Sequence, residues 1–268
     1  MSIHAAPLPS YSLALMREAH VVFARSLGIA AAATLLLVLG GAVQTPAAMA
    51  GLILFTGLVV ASERRLARNH PHPRLGIANR ITLARAGVAC LIAGRALDPD
   101  PLGTAERWTL VALAGAALLL DGTDGWAARR QGLASAFGAR FDMEIDAFAI
   151  AVLAITAVKA GAVPCWVLAI GAMRYLYVGA GRLFPVLRPT PPARAFADRR
   201  RKAIAVAQSL ALLGSLVPAT PRSWAAVGCA LALSLLVYSF AADMVMQLRA
   251  YQTGELRISC WRYRRRSL

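Results

Sequence analysis

The chain has 268 residues, 58% of them hydrophobic, and a mean hydropathy of +0.58, which excludes an ordinary soluble domain and points to a polytopic membrane protein. The formal charge of +16 comes almost entirely from arginines standing between apolar runs. No aromatic-interleaved basic stripe appears, so the charge argues for loops beside anionic headgroups and against nucleic acid.

Eight spans follow in chain order, at approximately 26–44, 47–62, 77–97, 107–128, 138–160, 163–184, 202–218 and 224–248. Each has about the 20 residues a bilayer needs, so the expected fold is all-α. Arg25 precedes the first run, and Pro46-Ala47-Ala48-Met49-Ala50 loosely resembles a cleavage site. That run starts late, is long for a signal core and is followed at once by another, so the two read as a helical hairpin and not a cleaved peptide.

The loops alternate in charge. Glu63–Arg74 holds Arg64, Arg65, Arg68 and Arg74; Arg129–Arg140 is basic; Arg182–Lys202 carries Arg188, Arg194, Arg199, Arg200 and Arg201; the tail ends Arg262-Tyr263-Arg264-Arg265-Arg266. The intervening connections are poor in Arg, and Leu97–Glu106 is acidic. The basic side, with both termini, is expected to be cytoplasmic in a multi-pass cell (inner) membrane protein. The expected organisation is a hairpin and basic loop over 1–76, a six-span core over 77–250 and a basic tail over 251–268.

Cys90, Cys165, Cys229 and Cys260 form no C-x2-C pair, which disfavours zinc and a disulfide framework. His4, His20, His70 and His72 form no ligand pattern; His70 and His72, flanking Pro71, read as part of a solvated loop. Trp108, Trp166, Trp224 and Trp261 fall near span ends, where interfacial anchoring accounts for them.

The most specific feature is a set of carboxylates in two apolar spans. Asp121-Gly122-Thr123-Asp124-Gly125-Trp126-Ala127-Ala128-Arg129, then Gly138, Asp142 and Asp146, give the spacing D-x2-D-G-x2-A-R-x8-G-x3-D-x3-D. A carboxylate inside a span costs about 3 kcal/mol on insertion scales. Spacings of three and four put each pair on one helix face, and the short basic link makes the two helices antiparallel neighbours. The four acids then converge near the basic side. An all-oxygen set suits hard cations such as Mg²⁺ or Mn²⁺, and several carboxylates can bridge two ions, as in displacement at phosphorus. Gly125 and Gly138 leave room for a bulky ligand, and Arg129 can reach a phosphate. Four aspartates simply snorkelling from helix ends would need neither the glycines nor the arginine.

These residues resemble the signature of the CDP-alcohol phosphatidyltransferase family at every fixed position. Asn79-Arg80-Ile81-Thr82-Leu83-Ala84-Arg85 is similar to the family's P-N-x-x-T-x-x-R element, with Ala78 where Pro is usual. Lys202 and Gln208 are similar to a G-K-x-x-x-x-x-Q element, with Arg201 in place of Gly. The resemblance covers about 77–250. It implies a six-helix core and two divalent cations held by Asp121, Asp124, Asp142 and Asp146, with Asp146 also the general base. It further implies contacts to a CDP-linked lipid, usually CDP-diacylglycerol, from Asn79, Thr82, Gly125, Arg129 and Ser135. An alcohol hydroxyl would attack the lipid-side phosphorus and CMP would leave. A homodimer is a further implication. Many phosphatidylglycerophosphate-synthase-like members read D-P-x-A-D-K where this chain reads Asp142-Met143-Glu144-Ile145-Asp146-Ala147, which leaves the subfamily open. Glu144 lies about 200° round the helix from Asp142 and is not assigned to the metals.

Arg174 and Arg182, spaced like paired basic positions in a later helix of some members, read with Lys202 as a pocket for an acceptor that itself carries phosphate. The alternative is topogenic charge meeting anionic lipid, which is the preferred account of the Arg199–Arg201 run. Asp243 reads equally as a helix-end acid or a pocket wall. The expected activity is transfer of a phosphatidyl group from CDP-diacylglycerol to a small, phosphorylated alcohol in phospholipid biosynthesis. The rivals are a CDP-amino-alcohol:diacylglycerol phosphotransferase, a cation transporter and a lipid-binding scaffold.

Overall fold

A computed structural model describes residues 10–183, apart from Ala134, and residues 195–252; within them the backbone alone is described at 10–12, 67–69, 122–129, 182, 195–199 and 247–252. These residues form eight α-helices and no strand: α1 (Ser10–Leu39), α2 (Thr45–Asn69), α3 (Gly76–Leu97), α4 (Thr104–Gln131), α5 (Ala136–Lys159), α6 (Leu168–Leu183), α7 (Ala195–Leu216) and α8 (Arg222–Gln252). A 3-10 turn at Cys165–Val167 leads into α6. Among the described residues, α1, α2, α3 and α8 contain stretches long and apolar enough to cross a membrane, and Cys165–Gly181 is a shorter apolar helix. The protein is an all-α polytopic membrane protein. Helices α5 and α7 depart from the apolar pattern because they carry Asp142, Glu144 and Asp146, and Arg200, Arg201 and Lys202.

Helix α1 begins far before the expected start near residue 26. Arg17, Glu18, His20 and Arg25 conceal this stretch from a search for apolar runs. It is helical because positions four apart find a core: Leu15, Ala19 and Phe23 are all buried. Its polar side is tied down as well, Glu18 accepting from Arg80 Nη2 at 2.7 Å and His20 bonding Glu63. Helix α1 stops at Leu39, a turn follows, and Pro46 in the first turn of α2 restarts the chain.

Two cores organise the bundle. One gathers Ile92, Leu110, Val152, Ala154, Leu212, Leu216 and Cys229 from α3, α4, α5, α7 and α8. The other joins Leu15, Ala19 and Phe23 of α1 and Phe55, Val59 and Leu66 of α2 to Leu83 and Ala86 of α3 and Phe137 and Ile145 of α5. The first hairpin therefore shares its core with α3 and with α5, the helix that carries Asp142 and Asp146. Helices α2 and α3 cross backbone to backbone. A Cβ on Gly51 would stand 2.6 Å from the Cys90 carbonyl oxygen, and one on Gly94 would stand 3.1 Å from that of Ala47.

Where α3 ends and α4 begins, a buried carboxylate latches the hairpin to the bundle. Asp98 is 3% exposed and accepts from the backbone N–H of Gln44 at 2.6 Å and of Asp100 at 2.9 Å. Arg95 lies 4.0 Å away, and Lys159 donates to the Arg95 carbonyl at 3.0 Å and to that of Asp98. Burial opposes ionisation of Asp98, but the two N–H groups and the two cations outweigh it and hold the carboxyl below the usual carboxylate range. A depressed folded-state value stabilises the fold above the unfolded value of about 4 and loses that contribution as pH falls through the folded one. The stability advantage of the wild type over Asp98→Asn should therefore be full at pH 6 and shrink below about pH 4. Thermal unfolding of both proteins in detergent across that range measures it, and a constant difference would contradict the assignment.

Candidate metal and donor site

Three α3 residues spaced by three, Asn79, Thr82 and Arg85, lie on one buried helix face. Thr82 Oγ1 donates back to the Ala78 carbonyl at 3.1 Å, and Asn79 Nδ2 donates to that of Leu75 at 2.5 Å. Arg85 reaches furthest. Its Nη1 lies 2.7 Å from Asp121 of α4 and 2.9 Å from Asp142 of α5, and its Nη2 bonds Asp146 of α5. One guanidinium thus ties three helices together. Along each helix axis these residues lie about 9–15 Å from the end where α3 starts, α4 stops and α5 starts, so the charges meet at a common level of the bundle.

The carboxylate oxygens of Asp121, Asp142 and Asp146 all lie within 4.8 Å of one another. Two unit charges at that separation repel by about 3–4 kcal/mol at an effective dielectric near 20. Arg85 brings one positive charge to three such groups, so the cluster retains a demand for further cation charge. The donor set is all oxygen and half-buried, which fits a hard divalent cation. The side chains of Asp124 and Arg129, and Gly125 between them, fall in the stretch described by backbone only; the α4 helix runs unbroken through it.

The α4–α5 turn is built against α3. Ser135 caps α5: its backbone is extended and its Oγ accepts from the Gly138 N–H at 3.0 Å. A Cβ on Gly138 would stand 2.9 Å from Asn79 Oδ1, so the glycine leaves the space that the Asn79 side chain fills against α5. Gln131 Oε1, at the end of α4, accepts from the Ile77 N–H at 3.1 Å and satisfies one of the open donors in the first turn of α3. Asn79, Ser135 and Gly138 therefore form one contact.

On other flanks the basic residues are paired differently. Arg174 Nη2 donates to Glu144 at 3.0 Å, and its buried Nε has no hydrogen-bond partner. Glu144 projects about 200° round α5 from Asp142, so this pair stands apart from the carboxylate cluster. Lys202 is exposed on α7, and the Arg182 side chain falls outside the described residues. Arg200 and Arg201, expected to act as topogenic charge, also have a partner within the fold. They lie on a helix and pair with Asp243, 5% exposed, at 2.7 and 3.0 Å. Asp243 thus serves α7–α8 packing.

Two residues at this site were not legible as such. Arg85 closes the N-x-x-T-x-x-R element three positions beyond Thr82, but the spacing gives it no partner on α4 or α5. His70 read as solvated and is instead 6% exposed, because its ring is held by Ser135 and by the Arg74 carbonyl. No spacing rule connects it to a turn 65 residues away.

A family model described as CDP-alcohol phosphatidyltransferase matches residues 75–238, more than half of the chain. The chain belongs to the CDP-alcohol phosphatidyltransferase family. No curated protein and no solved structure matches it. As a CDP-alcohol phosphatidyltransferase it is a transferase that moves a phosphatidyl group from a CDP-alcohol to an acceptor alcohol. The family generally uses divalent cations, and the acidic cluster of α4 and α5 supplies suitable ligands. The match begins at Leu75, so α1, α2 and His70 precede it.

Proposed function

We propose that this enzyme transfers the phosphatidyl group of CDP-diacylglycerol to a small, phosphorylated alcohol and releases CMP, a step of phospholipid biosynthesis. The observation that carries the reading is the convergence of Asp121, Asp142 and Asp146 within 4.8 Å on the segment that matches the family. These three, with Asp124, would hold two divalent cations, Mg²⁺ or Mn²⁺. When bound, the cations offset the charge of the diphosphate and of the leaving group. Asn79, Thr82, Gly125, Arg129 and Ser135 bind and orient the CDP-lipid. Asp146 takes the acceptor hydroxyl proton as the oxygen bonds to the lipid-side phosphorus and the bridging P–O bond to CMP breaks. An aspartate amid cations is a weak base, so alignment supplies most of the acceleration.

The acceptor side falls to Arg174, Arg182 and Lys202. To serve it Arg174 has to leave Glu144, with which it pairs on the other side of α5 from Asp142. Glycerol 3-phosphate is the acceptor of first choice. The enzyme resides in the inner cell membrane with the site and both termini on the cytoplasmic side, as the Arg-rich loops argue. Residues 77–250 carry catalysis and 1–76 support them.

The test is CMP release by purified protein with CDP-diacylglycerol and Mn²⁺ or Mg²⁺ against glycerol 3-phosphate, inositol, inositol phosphate, serine and choline. Release with a phosphorylated acceptor alone supports the reading. Release only with an unphosphorylated alcohol removes the phosphate pocket from it, and absence of metal-dependent CDP-lipid binding removes the donor.

A further inference from the structure

The loop between α2 and α3 reaches into the donor site from outside the family-matched segment. His70 Nε2 lies 2.8 Å from the Arg74 carbonyl oxygen. A carbonyl only accepts, so Nε2 carries the proton. Burial pushes the imidazole below its ordinary pKa, more strongly than the Arg74 carbonyl raises it, and the ring is neutral at pH 7. Its lone pair therefore stands on Nδ1, 2.9 Å from Ser135 Oγ, and the Ser135 hydroxyl donates to it. The same Oγ accepts from the Gly138 N–H. The chain of donors runs from Gly138 through Ser135 and His70 to Arg74 without a gap. Phe137, in the first turn of α5, packs its ring edge-on to that of His70 with centroids 6.0 Å apart.

We propose that His70 is a positioning residue for the CDP-lipid end of the site: by fixing the Ser135 hydroxyl it sets the α5 cap, the Asn79–Gly138 contact and with them the placement of Asn79 and Ser135 toward the donor. This rests on the transfer reading above for what Asn79 and Ser135 bind, though not for the contact itself. Ser135 touches the donor and His70 acts through it, so the loss falls on donor binding. The acceptor and the proton transfer at Asp146 are left alone.

Three variants of the full-length protein separate a bond from mere packing. His70→Asn keeps an acceptor oxygen near the Nδ1 position. His70→Gln keeps a donor near Nε2 and loses the Ser135 bond. His70→Ala loses both. The expected result is a KM for CDP-diacylglycerol raised about tenfold in His70→Ala and His70→Gln, with kcat within about twofold. His70→Asn should restore most of the affinity. Hydrogen exchange of the 135–141 peptide should follow the same order, fastest in the alanine and glutamine variants. Unchanged donor KM in His70→Ala, or recovery by Gln and not by Asn, overturns the proposal. If the wild type releases no CMP with any acceptor, the transfer reading fails by itself. Exchange then judges His70: loss of protection in His70→Ala regained in His70→Asn sustains the positioning contact, and equal protection in all four proteins overturns it.

Discussion

Asp146→Asn should abolish CMP release, lowering kcat by about 10³-fold or more while the protein still folds. The substitution is nearly isosteric, and the amide oxygen still accepts from Arg85 Nη2, so the α3–α5 tie survives. What disappears is a negative charge and a basic oxygen at the point where three carboxylates meet. A general base is worth about 10²–10⁴ in rate, and loss of a cation ligand adds to that. The check pairs steady-state CMP release with thermal unfolding. A Tm within a few degrees of wild type and a collapsed kcat confirm a chemical role. Glu63→Gln, at a solvent-facing pair with His20, serves as the control and should stay within about twofold. Residual activity above a tenth of wild type would remove Asp146 from the reaction.

Arg85→Ala should be the most damaging single change to the site's stability. The guanidinium is 7% exposed and is shared by Asp121, Asp142 and Asp146, whose side chains are 26%, 36% and 33% exposed. Its removal leaves three like charges facing one another with their counter-charge gone. Breaking a buried pair costs about 3–5 kcal/mol; the partial exposure of these carboxylates brings the expected loss to about 2–4 kcal/mol. The distinguishing sign is coupling to metal. A ligand that binds only the folded state stabilises it in proportion to the logarithm of its concentration over Kd. Mn²⁺ should therefore raise the Tm of Arg85→Ala by more than that of the wild type, because the cation takes over the missing charge. Arg85→Lys keeps the charge and loses the planar fork that spans two carboxylates, so it should fall between. An unchanged Tm with and without Mn²⁺ would show that Arg85 is dispensable to the cluster.

The helices and the acidic cluster were legible for the same reason. Long apolar runs between arginine-rich loops leave little choice but spanning helices, and carboxylates spaced three and four apart have to share a face. Asp121, Asp142 and Asp146 meet as that spacing implies. What escaped was whatever depends on partners distant in the chain. The first half of α1 is charged along one side, and its burial of Leu15, Ala19 and Phe23 becomes evident only with α2 and α3 beside it. Arg200 and Arg201 read as loop charges because Asp243 lies 43 and 42 residues further on. Asp98 read as part of an acidic loop, yet the loop folds its carboxylate inward to take the Gln44 N–H. Apolar periodicity records which side of a helix avoids water; it carries no record of which distant polar group supplies a partner.

The α2–α3 crossing has a consequence for synthesis. Arg85 leaves the ribosome 57 residues ahead of Asp142 and 61 ahead of Asp146. At about 5–20 residues per second, the interval to Asp146 is about 3–12 s. An arginine without its acids costs a spanning helix about 2.5–3.5 kcal/mol, enough to let it slip out of the bilayer. Helix α2 is already made by then, and Gly51 and Gly94 allow the two backbones to lock together. The first hairpin is thus expected to hold α3 in the nascent bundle until the acidic helices arrive.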